Sequence, residues 1–276
     1  MCMVNQKLIG NKHKGGIQIM KIIFMGRKQY AAEMLQWTVE QGIEVAFVCT
    51  DSQFLNSPTM IKANELGIPV ITMEAAEHYV ENNPEDIDLV VSYLFWRKIR
   101  KPLIEGPRYG CINFHPAILP DWRGTAGYNI AILYKLPEWG ATAHYVDEKI
   151  DTGSIIKVFK FNFDYRIETA FSLERKTQNI QMELYKSVML DVIEKGRLEC
   201  APQKKEDGIY ISKKEMIDMM KIDLKNIENE DLDLKIRAFW FPPYDGAGFE
   251  LNGKFYTLVN REVLKSLQDK NTTAMV

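Results

Sequence analysis

No apolar run in the chain approaches the ~20 residues that a membrane-spanning helix requires, so no membrane association is expected. Net charge is also scarce: 35 Lys and Arg stand against 37 Asp and Glu, a formal −2. That balance argues against binding nucleic acid through bulk charge, although a local basic patch stays open. Only four of the 276 residues are cysteines. Cys2, Cys49, Cys111 and Cys200 lie far apart and lack metal-ligand spacing. No His, Cys or carboxylate cluster has that spacing either, so no metal is expected. The cysteines read as reduced thiols of a cytoplasmic protein. There is no internal repeat and no low-complexity tract. The G-x-G-x-x-G of a dinucleotide site is missing too. The first strand-to-helix turn, MGRKQYAA, has one glycine, which disfavours NAD.

Residues 1–19 carry Lys7, Lys12 and Lys14 and no acid. They lack the apolar stretch of a secretory signal and read as a disordered leader, or as an arm that closes over a site. The strong pattern starts at Met20. MKIIFMG is a short continuous apolar run ending in Gly, the mark of a parallel strand buried on both faces. Tyr30–Gln41 then has helical spacing and stops at Gly42. EVAFVCT, IPVIT, DLVVSYL and GCINFH read as further strands. A helix opens at Ser57-Pro58, and a short one covers Glu74–Glu81. The alternation predicts an α/β fold with a Rossmann-like, mostly parallel sheet and flanking helices. Ligands of such sheets bind at the carboxyl ends of the strands, after Gly26, Thr50, Leu94 and Phe114.

Downstream, TAGYNIAILY reads as a helix, Trp139–Val146 and Gly153–Phe161 as strands, and Ile167–Glu194 as a long helix. Cys200–Asp207 is polar and reads as a linker. Asn252-Gly253 between alternating apolar positions predicts a β-hairpin. The expected organisation is a leader at 1–19, a catalytic domain at 20–200 and a small hairpin-bearing region at 201–276. The hairpin's apolar ribbon, with Phe249, Leu251, Phe255 and Tyr256, suggests a homodimer or packing on its own domain.

The densest chemistry is CINFHPAILPDWRG. Its strand delivers Asn113 and His115 on one side, two residues apart, and Pro116 stops it. Taken alone, such a pair reads as satisfied core polar groups. It gains meaning from Asp151, in the turn DEKIDTG 36 residues after the His. Arg27 and Lys28 sit where one phosphate would meet a helix N-terminus, or on a plain solvated turn. His144 reads as a structural histidine and His78 as a surface one.

The set Asn-x-His, the HPAILP loop and Asp-Thr-Gly resembles the formyltransferases that use 10-formyltetrahydrofolate, over about Met20 to Phe163. The segments SYLFWRKI, RGTAGYNIAIL, WGATAHYVDEKIDTGSII and IRAFWFPPYDGAGFELNGKFY are similar to the sugar N-formyltransferase branch. The resemblance implies Asn113, His115 and Asp151 as catalytic residues. It implies a pterin pocket at Tyr93, Leu94, Phe95, Trp96 and Ile99 together with Val146 and Asp147, with aromatic packing as the plainer role for at least one of the three aromatics. Arg97 and Lys98 read as a solvated face or as contacts of a polyglutamate tail. Implied partners are a reduced folate and a dTDP- or UDP-linked 3-amino or 4-amino deoxyhexose, whose product would enter an O-antigen or related glycan. Candidate sugar-nucleotide contacts are Arg27, Lys28 and Arg123 for the pyrophosphate, and Trp240, Phe241 and Tyr244 for the base. Arg123 has an ion pair with Asp121 as its alternative, and the aromatics have hairpin or dimer packing. A methionyl-tRNA formyltransferase-like enzyme and a non-catalytic binding protein of the same fold remain rival readings.

Overall fold

The computed structural model describes residues 19–51, 57–125, 127–196, 198–204 and 208–265, so the leader lies outside the described residues. In chain order the elements begin with β1 (Lys21–Gly26), α1 (Lys28–Glu40), β2 (Glu44–Cys49), α2 (Pro58–Glu65), α3 (Met73–Asn82), β3 (Leu89–Tyr93), α4 (Lys101–Glu105) and β4 (Cys111–His115). Next come β5 (Trp122–Gly124), α5 (Tyr128–Leu133), β6 (Glu138–Tyr145), β7 (Ile155–Asn162) and α6 (Ala170–Lys195). The last are β8 (Ile209–Ile211), α7 (Lys213–Met220), α8 (Leu232–Phe239), β9 (Gly248–Leu251) and β10 (Lys254–Thr257). The chain divides into two compact units. Among the described residues, one holds those of 19–115, 141–159 and 181–204, and the other those of 116–140, 160–180 and 208–265.

The six-stranded sheet has the order β2-β1-β3-β4-β6-β7. β2, β1, β3 and β4 run parallel, and β6 pairs antiparallel with β4. The expected mostly parallel α/β sheet is therefore present. In the first unit, alternate residues of a strand enter different apolar clusters. Ile22 and Phe24 join one, with Leu89, Val91, Ile112 and Tyr185. Ile23 and Met25 join another, with Val90, Ile99, Leu103 and Cys111. Covering both faces in this way is why β1 reads as an unbroken apolar run. Each fully buried side chain of this size contributes ~1.5–3 kcal/mol relative to exposure.

One expected strand is absent. Ile68–Thr72 makes a single parallel bridge, Val70 to Val48. The Val48 amide donates to the Pro69 carbonyl and the Ile71 amide to the Val48 carbonyl, each at 3.0 Å. Pro69 has no N–H with which to extend the ladder.

The second unit has its own core, with Trp139, Leu234, Ile236, Phe239 and Ala247 at its centre. There β5 pairs parallel with β8, and β9 with β10 antiparallel. Asn252 and Gly253 take φ of 50° and 72°, as a two-residue hairpin turn with both positions left-handed requires.

Among the described residues, no helix is long and apolar enough to cross a membrane. Cys49, Cys111 and Cys200 are free thiols. Burial pushes Cys49 up to about 12 and raises Cys111 as well, which keeps both protonated and unreactive.

Candidate functional site

The site grows from a change of character on one sheet face. That face is apolar at Val90 and Cys111. Side chains alternate along a strand, so the next positions on it are Ser92 in β3 and Asn113 and His115 in β4. In β6, Ala141, Ala143 and Tyr145 enter the opposite cluster, which turns Thr142 and His144 to the same polar face. Register then sets the neighbours: Asn113 lies across from Ser92 and from His144, and His115 from Thr142. Gln181 of α6 donates its amide to the Phe114 carbonyl at 2.7 Å and holds the end of β4 from the other side.

Hydrogen bonds orient the polar groups. Ser92 Oγ donates to Asn113 Oδ1 at 2.7 Å. Asn113 Nδ2 stands 3.1 Å from His144 Nε2, and His144 Nδ1 stands 2.7 Å from the Tyr145 carbonyl. A carbonyl only accepts, so Nδ1 carries the His144 proton and Nε2 accepts from Asn113. Burial holds His144 below the ordinary imidazole range, with the facing Asp151 pulling the other way. His144 is therefore a neutral acceptor. It fixes the side on which Asn113 presents its amide nitrogen and, among the described residues, leaves the second N–H of that nitrogen available.

Asp151 comes from the turn between β6 and β7. One carboxylate oxygen lies 3.6 Å from His115 Nδ1 and the other 3.6 Å from His144 Nε2. These separations are electrostatic contacts rather than hydrogen bonds. All three groups are nearly buried, with side-chain exposures of 7%, 3% and 10% for His115, His144 and Asp151. The amide donor, the imidazole and the carboxylate expected from the sequence thus meet at the carboxyl end of β4. His144, read from the sequence as a structural histidine, stands among them and orients Asn113. The signal was its place opposite Asn113 in an antiparallel pair, which a strand reading without register cannot supply.

The remaining first-unit candidates divide. Tyr93 is fully buried, its ring against Phe114 and Tyr185 at 5.8 and 5.5 Å, so for it the packing role holds. Leu94 packs on the same core. Phe95, Ile99 and Val146 meet in the other cluster, which brings the two expected pocket segments together. Asp147 caps the turn, accepting from the Lys149 amide and the Thr152 hydroxyl at 3.0 and 2.6 Å. Phe95, Trp96 and Arg97 line a cavity of about 260 Å³ with Cys49, Thr50, Thr72 and Glu74. The Arg27 guanidinium stands 5.3 Å above the Trp96 ring, a cation–π contact. Arg27 Nε is buried without a hydrogen-bond partner among the described residues. Lys28 opens α1 at φ 70°, its carbonyl accepting from Thr59 Oγ1. Arg97 is exposed and pairs with Glu74 at 2.5 Å, and Lys98 is exposed.

In the second unit, Arg123 is buried in β5 opposite Tyr210. Phe241 lies parallel to Tyr128 at 6.4 Å, edge-on to Phe171 at 5.7 Å and 6.0 Å from Tyr244. Tyr244 is 68% exposed. Trp240 packs against the second core.

A family model described as formyl transferase matches residues 20–189. A methionyl-tRNA formyltransferase of Bacillus cytotoxicus is 29% identical over 199 residues, which are 68% of this chain and 63% of that protein. The chain thus spans less than two thirds of that relative's length. Among solved structures, a 4-N formyltransferase from Francisella tularensis superposes with a TM-score of 0.72 at 24% identity, covering 87% of this chain and 97% of that one. An N-formyltransferase from Helicobacter canadensis, in complex with folinic acid and dTDP-3-aminofucose, gives 0.68 at 23%, covering 85% of each chain. At these identities the structural likeness establishes the fold.

Proposed function

Because the chain belongs to the formyl transferase family, we propose that it moves a formyl group from 10-formyltetrahydrofolate to the amine of a nucleotide-linked 3-amino or 4-amino deoxyhexose. The observation that carries formyl transfer is the grouping of Asn113, His115 and Asp151 at the carboxyl end of β4, with Asn113 held by Ser92 and His144. The sugar acceptor is supported by two further features. Residues from Glu206 onward carry ten Lys and Arg against thirteen Asp and Glu, a net −3, which is unsuited to tRNA. Phe241, Tyr128, Phe171 and Tyr244 form an aromatic cluster with one exposed ring, suited to stacking on a base.

The folate supplies an activated formyl carbon, and the acceptor supplies a neutral amine. The free amide N–H of Asn113 stabilises the negative charge that develops on the formyl oxygen, as an oxyanion-hole donor does. His115 takes the proton that the attacking amine sheds and returns it to the leaving nitrogen. Asp151 offsets the positive charge on His115 while it carries that proton. The residues present suit a planar pterin. Phe95, Ile99 and Val146 supply apolar contact, and the loop main chains supply donors and acceptors for its amide-like edge. Arg27, Lys28 and Arg123 are the proposed pyrophosphate contacts, and Trp240, Phe241 and Tyr244 the proposed base contacts. A homodimer through the hairpin, where Leu251 and Tyr256 are 50% and 46% exposed, completes the reading. A light-scattering mass near 31.9 kDa would remove the dimer.

The test is mass spectrometry on a panel of dTDP- and UDP-linked amino sugars, each incubated with the enzyme and 10-formyltetrahydrofolate. The expected result is one formyl group gained by one panel member. If the folate is consumed only when charged initiator tRNA replaces the sugars, the tRNA reading takes its place.

A further inference from the structure

Asp151 holds its position at a conformational cost. Its φ is 56°, in the left-handed region, which costs a non-glycine residue of order 1 kcal/mol. Something must hold the backbone there, because rotation at this residue would swing the carboxylate away from His115 and His144.

Part of the restraint comes from bonds within the turn and from one to β4. The Tyr145 amide donates to the Ser154 carbonyl at 2.9 Å, and the Val146 amide to the Cys111 carbonyl at 2.8 Å. Asp147 ties down Lys149 and Thr152. None of these bonds involves the carbonyls of Asp151 or Gly153. Those two accept from one donor outside the turn. Gln203 Nε2 lies 3.1 Å from the Asp151 carbonyl oxygen and 2.6 Å from that of Gly153. A primary amide has two N–H bonds, one for each carbonyl, so the single side chain clamps the residues on both sides of Thr152.

The chain brings Gln203 there by pairing. Ala201 and Ile155 exchange both backbone hydrogen bonds, each at 2.8 Å, as an antiparallel bridge. Antiparallel register then sets residue 203 opposite residue 153. The described part of the polar segment that reads as a linker in the sequence, residues 200–204, thus lies alongside the start of β7.

We propose that Gln203 is a positioning residue that holds the Asp151 turn, and through it the Asp151 carboxylate, against His115 and His144. The proposal rests on the formyl-transfer reading only for its kinetic consequence. Its structural content stands on the hydrogen bonds.

The test compares variants by turnover and by the ring-nitrogen NMR signals of His115 and His144. Gln203→Met keeps the length and removes both N–H donors. Gln203→Lys keeps donors at a similar reach. In the Met variant, kcat is expected to fall about 10–50-fold, within the ~10–100-fold scale for losing a group that orients a functional residue, with KM for both substrates within about threefold. The Lys variant is expected to retain kcat within about fivefold. In an Asp151→Asn background, Gln203→Met should cost less than about twofold more, because its target is already lost. The ring-nitrogen signals of Gln203→Met should move toward those of Asp151→Asn. Should the Met variant lose its cooperative melt, Gln203→Glu, of equal size but without N–H donors, takes its place in every comparison.

Unmoved ring signals overturn the proposal, as does an equal kcat loss in both backgrounds or an equal loss for Met and Lys. A wild-type enzyme that transfers no formyl group to any acceptor counts against the formyl-transfer reading, and the NMR comparison then decides the role of Gln203 by itself.

Discussion

Replacing Asn113, His115 or Asp151 with alanine is expected to lower kcat by at least ~100-fold each, the usual scale for an oxyanion donor or an acid–base group. A His115→Ala enzyme with near-normal kcat would sink the proposed mechanism. Ser92→Ala should cost less, since it frees the Asn113 carbonyl while the amide nitrogen still meets His144. A loss of roughly 3–10-fold in kcat is expected, smaller than for a donor that itself meets the developing charge. His144 carries a separate prediction. Burial lowers its proton affinity in the folded state. Above the unfolded value of ~6.5, both states hold it neutral and its contribution to stability is full. As the pH falls below that value, the unfolded chain binds the proton first, so stability is lost toward the lower folded value. Urea unfolding at pH 7.5 and pH 5 should therefore show the wild type losing more stability than His144→Gln. Parallel losses would show that His144 does not titrate between the two states.

At the level of the element, two glycines separate the causes of a turn. Gly153 lacks a left-handed φ, but a Cβ there would lie 1.8 Å from the Tyr145 carbonyl oxygen. Gly253 has φ 72° and open space around its Cβ position. Gly153→Ala must therefore push the Asp151 turn off β6, and a kcat loss of at least ~10-fold is expected, from the displacement of a group that supports acid–base catalysis. Gly253→Ala meets only backbone strain, about 1 kcal/mol, with kcat unchanged. Thermal melts and turnover of the two variants check both expectations. The same turn shows where sequence reading stops. DEKIDTG is visible as a turn because Asp and Gly favour one, and its link to Asn113 and His115 is visible through the motif. Its clamp by Gln203 is not, since that depends on a bridge between Ala201 and Ile155, 46 residues apart. His144 was hidden for a related reason. Alternation gives the face of a strand, but only register gives the residue across from it. IPVIT has strand composition, yet Pro69 limits it to one bridge. Composition names a preference, and the neighbouring strand decides whether it is used.

Over the whole molecule, the parallel sheet was legible because each buried strand is a short apolar run between helix-period segments. The division into two units was less so. The second unit is gathered from three stretches of chain, and the separation falls within β6, β7 and α6, whereas a linear reading looks for one boundary. Charge is the whole-molecule property that bears most directly on the acceptor. A protein that grips tRNA through six or more phosphate contacts loses ~10³-fold in affinity between 50 and 200 mM salt, because each neutralised phosphate releases counterions. A nucleotide sugar has two phosphates, so its binding should weaken by no more than about tenfold over that range. The chain's formal charge of −2 and the net −3 from Glu206 onward give no bulk excess of positive charge for gripping tRNA. KM for the nucleotide sugar that the panel identifies is therefore expected to rise less than about tenfold from 50 to 200 mM KCl. Formylation of charged initiator tRNA should stay below ~1% of the sugar rate at both salts, as expected where phosphate neutralisation is missing. Efficient tRNA formylation at 50 mM that collapses at 200 mM would instead point to a local basic patch reading the tRNA backbone, and the sugar assignment would fall with it.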